Sequence, residues 1–359
     1  MNIAQQIEAL EVPRLMPEGV DLPRWENRRR EIGGMIAAHM YGEVRAGFDR
    51  VDYEETVINP YAFAGKAVTK KITITFRASG ESYAFDFVLM LPSHSERSPV
   101  AVNPTFRKVF PDSYLPAEEL IDRGVGVATF YYDDVIPDDR ERAFAGGLGA
   151  YLSEGRRHED SAGALSIWAW ACSRVADYLC TADGIDTDNL MVIGHSRLGK
   201  TALLAGARDP RFRFVFANNA GCCGDSLIRA ADSRAEHFEV ITRVFPHWFC
   251  PRFLTYANDE RALPFDQHFL ISLIAPRFVC CGLAEADAWA GLQSQYWSYI
   301  LAGPAWEVYG RPGLVHPDRA IRAGDWFREG SVGIFMREHR HYLSRYDWNR
   351  YLDFFSQWR

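Results

Sequence analysis

The segment from Met191 to Lys200 reads Met-Val-Ile-Gly-His-Ser-Arg-Leu-Gly-Lys, an apolar strand that runs through a serine into a helical pattern. A serine on so sharp a turn stands above the end of the sheet, in a strained backbone that is tolerated where Gly194 and Gly199 let neighbouring chain come close. The helix expected from Arg197 to about Ala207 points its free N–H groups and positive dipole end at the same spot. Such a nucleophile elbow attacks carbonyl carbon, the chemistry of acyl transfer. The pattern departs from the common G-x-S-x-G, because Leu198 occupies the second glycine's place and Gly199 follows one residue later. An ordinary turn with Ser196 as the helix N-cap would use the same residue types.

An elbow serine needs a base, and in chains of this kind the order is serine, acid, histidine, with the histidine on a loop after the last strand. His316, His339 and His341 lie in that region. Other polar clusters carry less. Asp133, Asp134, Asp138 and Asp139, and the run His158-Glu159-Asp160, have no metal-loop spacing and read as solvated loops, so neither a metal nor a cofactor is expected. The seven cysteines, including the vicinal pairs Cys222-Cys223 and Cys280-Cys281, form no zinc spacing or disulfide framework and read as buried reduced thiols.

The elements that must position the serine alternate between strand and helix. Residues 25–44 form a charged, amphipathic helical lead-in; Lys71–Arg77 and Tyr83–Leu91 pair as a hairpin across Ala78 to Glu81. Residues 100–103, 125–132, 191–193, 212–217, 278–282 and 332–336 are buried strands. Residues 162–180 and 346–358 are helices with apolar faces. No repeat or linker interrupts them. The pattern predicts one α/β domain over residues 1–359, an α/β-hydrolase three-layer sandwich with a mostly parallel central sheet, on which residues 1–50 pack as a helical lead-in.

Composition bounds the partners. The 359 residues carry a net charge of −7 with 48% apolar and 14% aromatic residues, enough for a large core and without the basic stripe of a nucleic-acid binder. No apolar run approaches the ~20 residues of a membrane span. Residues 1–14 show no leader pattern, so a cytoplasmic, monomeric protein is expected; the mature form of a secreted protein would read the same way.

Several stretches together carry a resemblance: residues 127–132 (Val-Ala-Thr-Phe-Tyr-Tyr), Ile167 to Trp170 with Ser173-Arg174 and Asp177 to Leu179, residues 192–203 around Gly194-His195-Ser196-Arg197-Leu198-Gly199-Lys200, Phe245 to Phe249, and Tyr346-Asp347-Trp348 with Tyr351 to Phe354. They resemble the bacterial branch of the glucuronoyl esterases, carbohydrate esterase family fifteen. The resemblance implies His341 as the catalytic base, ahead of His339 and His316. In fungal members a glutamate follows the strand after the elbow; Asn219 stands there in this chain, and an amide cannot stabilise an imidazolium by charge. The segment Ala284-Glu285-Ala286-Asp287-Ala288-Trp289-Ala290 resembles the acidic motif of bacterial members, which points to Asp287 as the acid, with Glu285 as the alternative.

The same resemblance gives Arg197 two donors to the oxyanion, its backbone N–H and its guanidinium. It also implies that Lys200 bonds sugar hydroxyls and Trp289 offers a flat face to the pyranose, with Glu236, His247 and Trp248 near the pocket. The expected activity is a serine carboxylesterase cleaving esters of 4-O-methyl-glucuronic acid on xylan or its oligosaccharides, without a cofactor. An acetyl-xylan or carbohydrate deacetylase, or a degenerate carbohydrate-binding relative, stand as alternatives.

Overall fold

A twelve-residue strand that the sequence pattern does not foretell opens the sheet. In the computed structural model, which describes residues 3–359 apart from 154 and 156, β1 (Arg50–Tyr61) pairs antiparallel with β2 (Ala67–Ala78), and β2 with β3 (Glu81–Pro92). β1 is exposed almost throughout, so it lacks the alternation that marks a half-buried strand. Its backbone ladder and ion pairs such as Arg77–Asp52 (2.9 Å) and Lys70–Glu55 (2.9 Å) hold it at the edge.

Six parallel strands follow: β4 (Val100–Thr105), β5 (Gly126–Tyr131), β6 (Leu190–His195), β7 (Phe212–Asn218), β8 (Phe278–Ala284) and, after the two-residue antiparallel β9 (Trp326–Phe327), β10 (Val332–Arg337). The ten strands lie in the order β1-β2-β3-β5-β4-β6-β7-β8-β10-β9. Burial on both faces explains their continuous apolar runs. Along β6 the side chains alternate: Val192 joins the core beneath the helices Ala164–Leu179 and Arg197–Arg208, while Met191 and Ile193 join Phe214, Phe216 and the closing helix Arg345–Trp358 on the other face.

The lead-in is helical over Ile3–Glu8 and Leu22–Ile36, where the Asp21 carboxylate accepts from the Arg24 N–H (3.0 Å). It runs on as a π-turn, Ala37–Tyr41, and so stops short of Val44 and residue 50. Gly42 ends it at φ 72°, pressed so close to the chain that a Cβ would lie 2.2 Å from the Ser161 carbonyl oxygen. Trp25, Ile32, Met40 and Tyr41 are buried against the main core. Met1 and Asn2, part of the expected lead-in, lie outside the described residues. All seven cysteines are free thiols, and of these Cys180 is exposed, against the expectation of burial.

Candidate active site

The carboxyl ends of β6, β7, β8 and β10 carry the reactive side chains, as open parallel sheets place their sites. At the end of β6, Ser196 has φ 55° and ψ −126°, a conformation costly for a residue with a side chain. Its N–H donates to the Asn218 carbonyl (2.8 Å), and the helix Arg197–Arg208 starts at the next residue. A Cβ on Gly194 would stand 1.9 Å from the Leu198 carbonyl oxygen, and one on Gly199 3.2 Å from the Asn218 carbonyl oxygen and the Ala220 Cβ. Gly194 is thus required by close approach, while at Gly199 the fit is tight and a side chain would need its neighbours to give by a few tenths of an ångström.

His341 hangs from the loop after β10. Two devices fix that loop. The buried Arg337 binds Asp347 through Nε (2.9 Å to each carboxylate oxygen) and donates to the carbonyls of Glu338 (2.9 Å), Arg340 (3.1 Å) and Tyr342. The Glu285 and Ala286 N–H groups donate to the carbonyls of Arg337 (2.9 Å) and His339 (3.0 Å), zipping the β8 and β10 loops together. Asp287 thereby reaches His341, its Oδ2 lying 2.6 Å from Nδ1. Glu285, two residues earlier, is exposed and lines a different cleft with Asp232 and Arg234. The alternative acid is therefore set aside: the turn closed by the Asp287 N–H on the Ala284 carbonyl (2.9 Å) turns the two carboxylates to different sides. His339, at φ 76°, lines a cleft with Tyr342 and Tyr346, and His316 packs on Tyr296; neither belongs to the serine's pocket.

That pocket is a cavity of about 310 Å³ lined by Ser196, His341, Asp287, Arg197, Lys200, Asn219, Glu236, Trp248 and Trp289, among others. Lys200 is buried, and its Nζ donates to the Ala220 carbonyl. Burial pushes the Glu236 carboxyl up, against the charges of Lys200, Arg197 and His341. Trp289 is 54% exposed, an indole at the rim. Asn219, at φ 47° and buried, finds no protein partner for either amide atom among the described residues.

Two groups escape the sequence reading. Asp138, read there as a solvated loop acid, has its side chain only 5% exposed, because four donors converge on it: the nearby Tyr132 Oη (3.0 Å) and, from distant parts of the chain, His247 Nε2 (2.8 Å), Trp248 Nε1 (2.7 Å) and Arg197 Nη1. Burial alone would raise its pKa, but the hydrogen bond from His247 and the charge of Arg197 hold it at about 2. The Arg197 guanidinium lies over the rings of Trp248 (4.8 Å) and Phe245 (5.3 Å), so Trp248 supports the arginine and shows little face to the pocket. Arg197 Nε is buried without a partner among the described residues.

The second group is His195. Its Nδ1 is 2.6 Å from Asn218 Oδ1, and its ring centroid 4.4 Å from that of His341. Burial, with His341 beside it, pushes its pKa down to about 3, so it stays neutral. Its place directly before Ser196 was the available signal. Among the described residues no group of three or more His, Cys, Asp or Glu could hold a metal ion, and no helix is long and apolar enough to cross a membrane.

A mostly parallel sheet with a serine at positive φ after a central strand, and a histidine–carboxylate pair from the later loops in the same cavity, defines the protein as an α/β-hydrolase. The family described as fungal glucuronyl esterase matches residues 74–310. The prokaryotic carbohydrate esterase MZ0003, from an unknown organism, is 30% identical over 95% of this chain and 88% of its own. A 4-O-methyl-glucuronoyl methylesterase of Podospora anserina is 29% identical over 80% of this chain, which spans 56% of that protein. The solved structure of a glucuronoyl esterase from Solibacter usitatus superposes with a TM-score of 0.87 at 28% identity, covering 97% of this chain and 98% of that one. The chain belongs to the glucuronyl esterase family.

Proposed function

We propose that this protein is a serine esterase that hydrolyses esters of glucuronic acid through an acyl-enzyme. The observation that carries the reading is the 2.6 Å contact of Asp287 with His341 in the cavity that also holds the strained Ser196. Ser196 Oγ attacks the ester carbonyl while His341 takes its proton and passes it to the departing alcohol; Asp287 keeps the imidazole oriented and stabilises its charged form. The backbone N–H of Arg197, at the first position of the helix, and its guanidinium, whose Nε has no partner among the described residues, serve the oxyanion. Water then attacks the acyl carbon, the C–Oγ bond breaks, and glucuronate leaves.

Lys200 and Glu236 supply a donor and an acceptor for sugar hydroxyls, and the exposed Trp289 a face for the ring. The names of the Podospora and Solibacter relatives support glucuronate as the acyl part. A xylan-borne or oligosaccharide ester fits a pocket that opens at Trp289. Hydrolysis of methyl glucuronate set against an acetylated sugar, with Ser196→Ala as control, tests the reading. Faster turnover of the acetyl ester would make the protein a deacetylase, and no Ser196-dependent turnover of either would make it a binding relative.

A further inference from the structure

Asp138 makes no direct contribution to the pocket wall, yet its carboxylate accepts hydrogen bonds from four side chains, Tyr132, Arg197, His247 and Trp248. It lies just past the single helical turn Tyr132–Val135 after β5, and its N–H donates to Asp133 Oδ1 (2.7 Å), which fixes the turn. From there it binds Arg197, His247 and Trp248 at once. An arginine in the first turn of a helix is poorly placed electrostatically, since the helix N-terminus is itself positive. Asp138 offsets that cost and grips one end of the guanidinium through Nη1, while Nε keeps no partner among the described residues.

We propose that Asp138 is a positioning residue that holds the Arg197 fork and cancels its charge, so that the site takes an uncharged ester and releases the carboxylate it makes. The inference rests on the glucuronate-esterase reading. It follows from a difference in charge along the reaction. In the transition state the oxyanion is balanced by the imidazolium formed on His341, so the reacting atoms are together neutral. After deacylation the proton from water has left and a glucuronate carboxylate remains, with one net negative charge. An N–H of Arg197 directed at the oxyanion would act on it at hydrogen-bond range alone, whereas an uncompensated guanidinium would attract the product as well. Pairing Arg197 with Asp138 keeps the first effect and removes the second. Lys200 is similarly accompanied, by the fields of Glu236 and the fully buried Asp225.

The test is calorimetric titration with free glucuronate near pH 7, beside steady-state hydrolysis of its methyl ester. In the wild type, glucuronate should bind no more tightly than the ester's KM. Asp138→Asn should tighten glucuronate binding about tenfold or more and lower kcat by roughly tenfold to a hundredfold, with KM for the ester within about threefold. In an Arg197→Met background the same substitution should leave glucuronate affinity within about threefold, because the charge to be cancelled is gone. A folded Asp138→Asn protein with unchanged or weaker glucuronate binding overturns the proposal. So does a wild type that binds glucuronate much more tightly than the ester, a comparison that stands even if Asp138→Asn does not fold. A wild type that fails to hydrolyse methyl glucuronate refutes instead the functional reading on which the proposal rests.

Discussion

Asp287 Oδ2 lies 2.6 Å from Nδ1 of His341, while the amide of Asn219, at the place where fungal relatives are expected to carry an acid, hydrogen-bonds to neither. The carboxylate partner of the histidine therefore comes from the loop after β8. Asp287→Asn should lower kcat by about 10⁴-fold, as when a triad acid becomes an amide. Glu285→Gln and Asn219→Ala should each cost less than about tenfold. Steady-state kinetics of the three purified variants on one ester decides it, and near-normal activity of Asp287→Asn would contradict the assignment.

The two loop histidines separate in the same way. His341→Ala should reduce kcat by several orders of magnitude, and His339→Ala by little, because His339 lines a different cleft from Ser196. The opposite ranking would move the base to His339.

Gly194 and Gly33 predict opposite effects of the same substitution. Gly194→Ala drives a Cβ to 1.9 Å from the Leu198 carbonyl oxygen, a backbone atom that cannot swing aside, and should destabilise by roughly 3 kcal/mol or more or prevent folding. Gly33→Ala, in the helix Leu22–Ile36 with nothing within 4 Å of the new Cβ, should stabilise by about 0.5–1 kcal/mol. Denaturant unfolding measures both, and a stable, active Gly194→Ala enzyme would refute the close approach at the elbow.

Much of the sheet was legible because buried parallel strands write themselves as apolar runs. β6, β7, β8 and β10 fall where those runs predict them, extended by one to three residues at their ends. β1 was not legible, since Val51, Tyr53, Val57 and Ile58 sit exposed on an edge and give no alternation. Asp138 was misread for a different reason. In sequence it is one of four loop acids, and the donors that bury it, His247 and Trp248, lie more than a hundred residues away. The choice between Glu285 and Asp287 also needed the backbone, because two carboxylates two residues apart differ only in where a turn sends them.

Two buried histidines contribute to the acid dependence of stability. Burial pushes the pKa of His195 and of His268 from 6.5 to about 3; His268 is fully buried, with Nε2 3.0 Å from the Pro13 carbonyl oxygen. The unfolded chain takes up these protons as pH falls through about 6.5 and the folded chain does not until about 3, so their stabilising effect is complete above pH 6.5 and lost below it. Asp225 works oppositely, since burial raises its pKa to about 6 and the folded state is protonated first. Comparing wild type with His268→Gln isolates one term: their unfolding free energies should converge by about 1.4 kcal/mol per pH unit between pH 6 and pH 4. Parallel curves would show that His268 is already charged in the folded protein.

The most direct test of the account is the initial rate on methyl glucuronate by wild type, Ser196→Ala and Lys200→Ala, beside a simple aryl acetate. The account predicts turnover of the glucuronate ester that vanishes in Ser196→Ala. It also predicts a raised KM for that ester in Lys200→Ala, with the aryl acetate nearly untouched. Glucuronate ester hydrolysis by Ser196→Ala comparable to wild type, or equal losses on both substrates in Lys200→Ala, would contradict it.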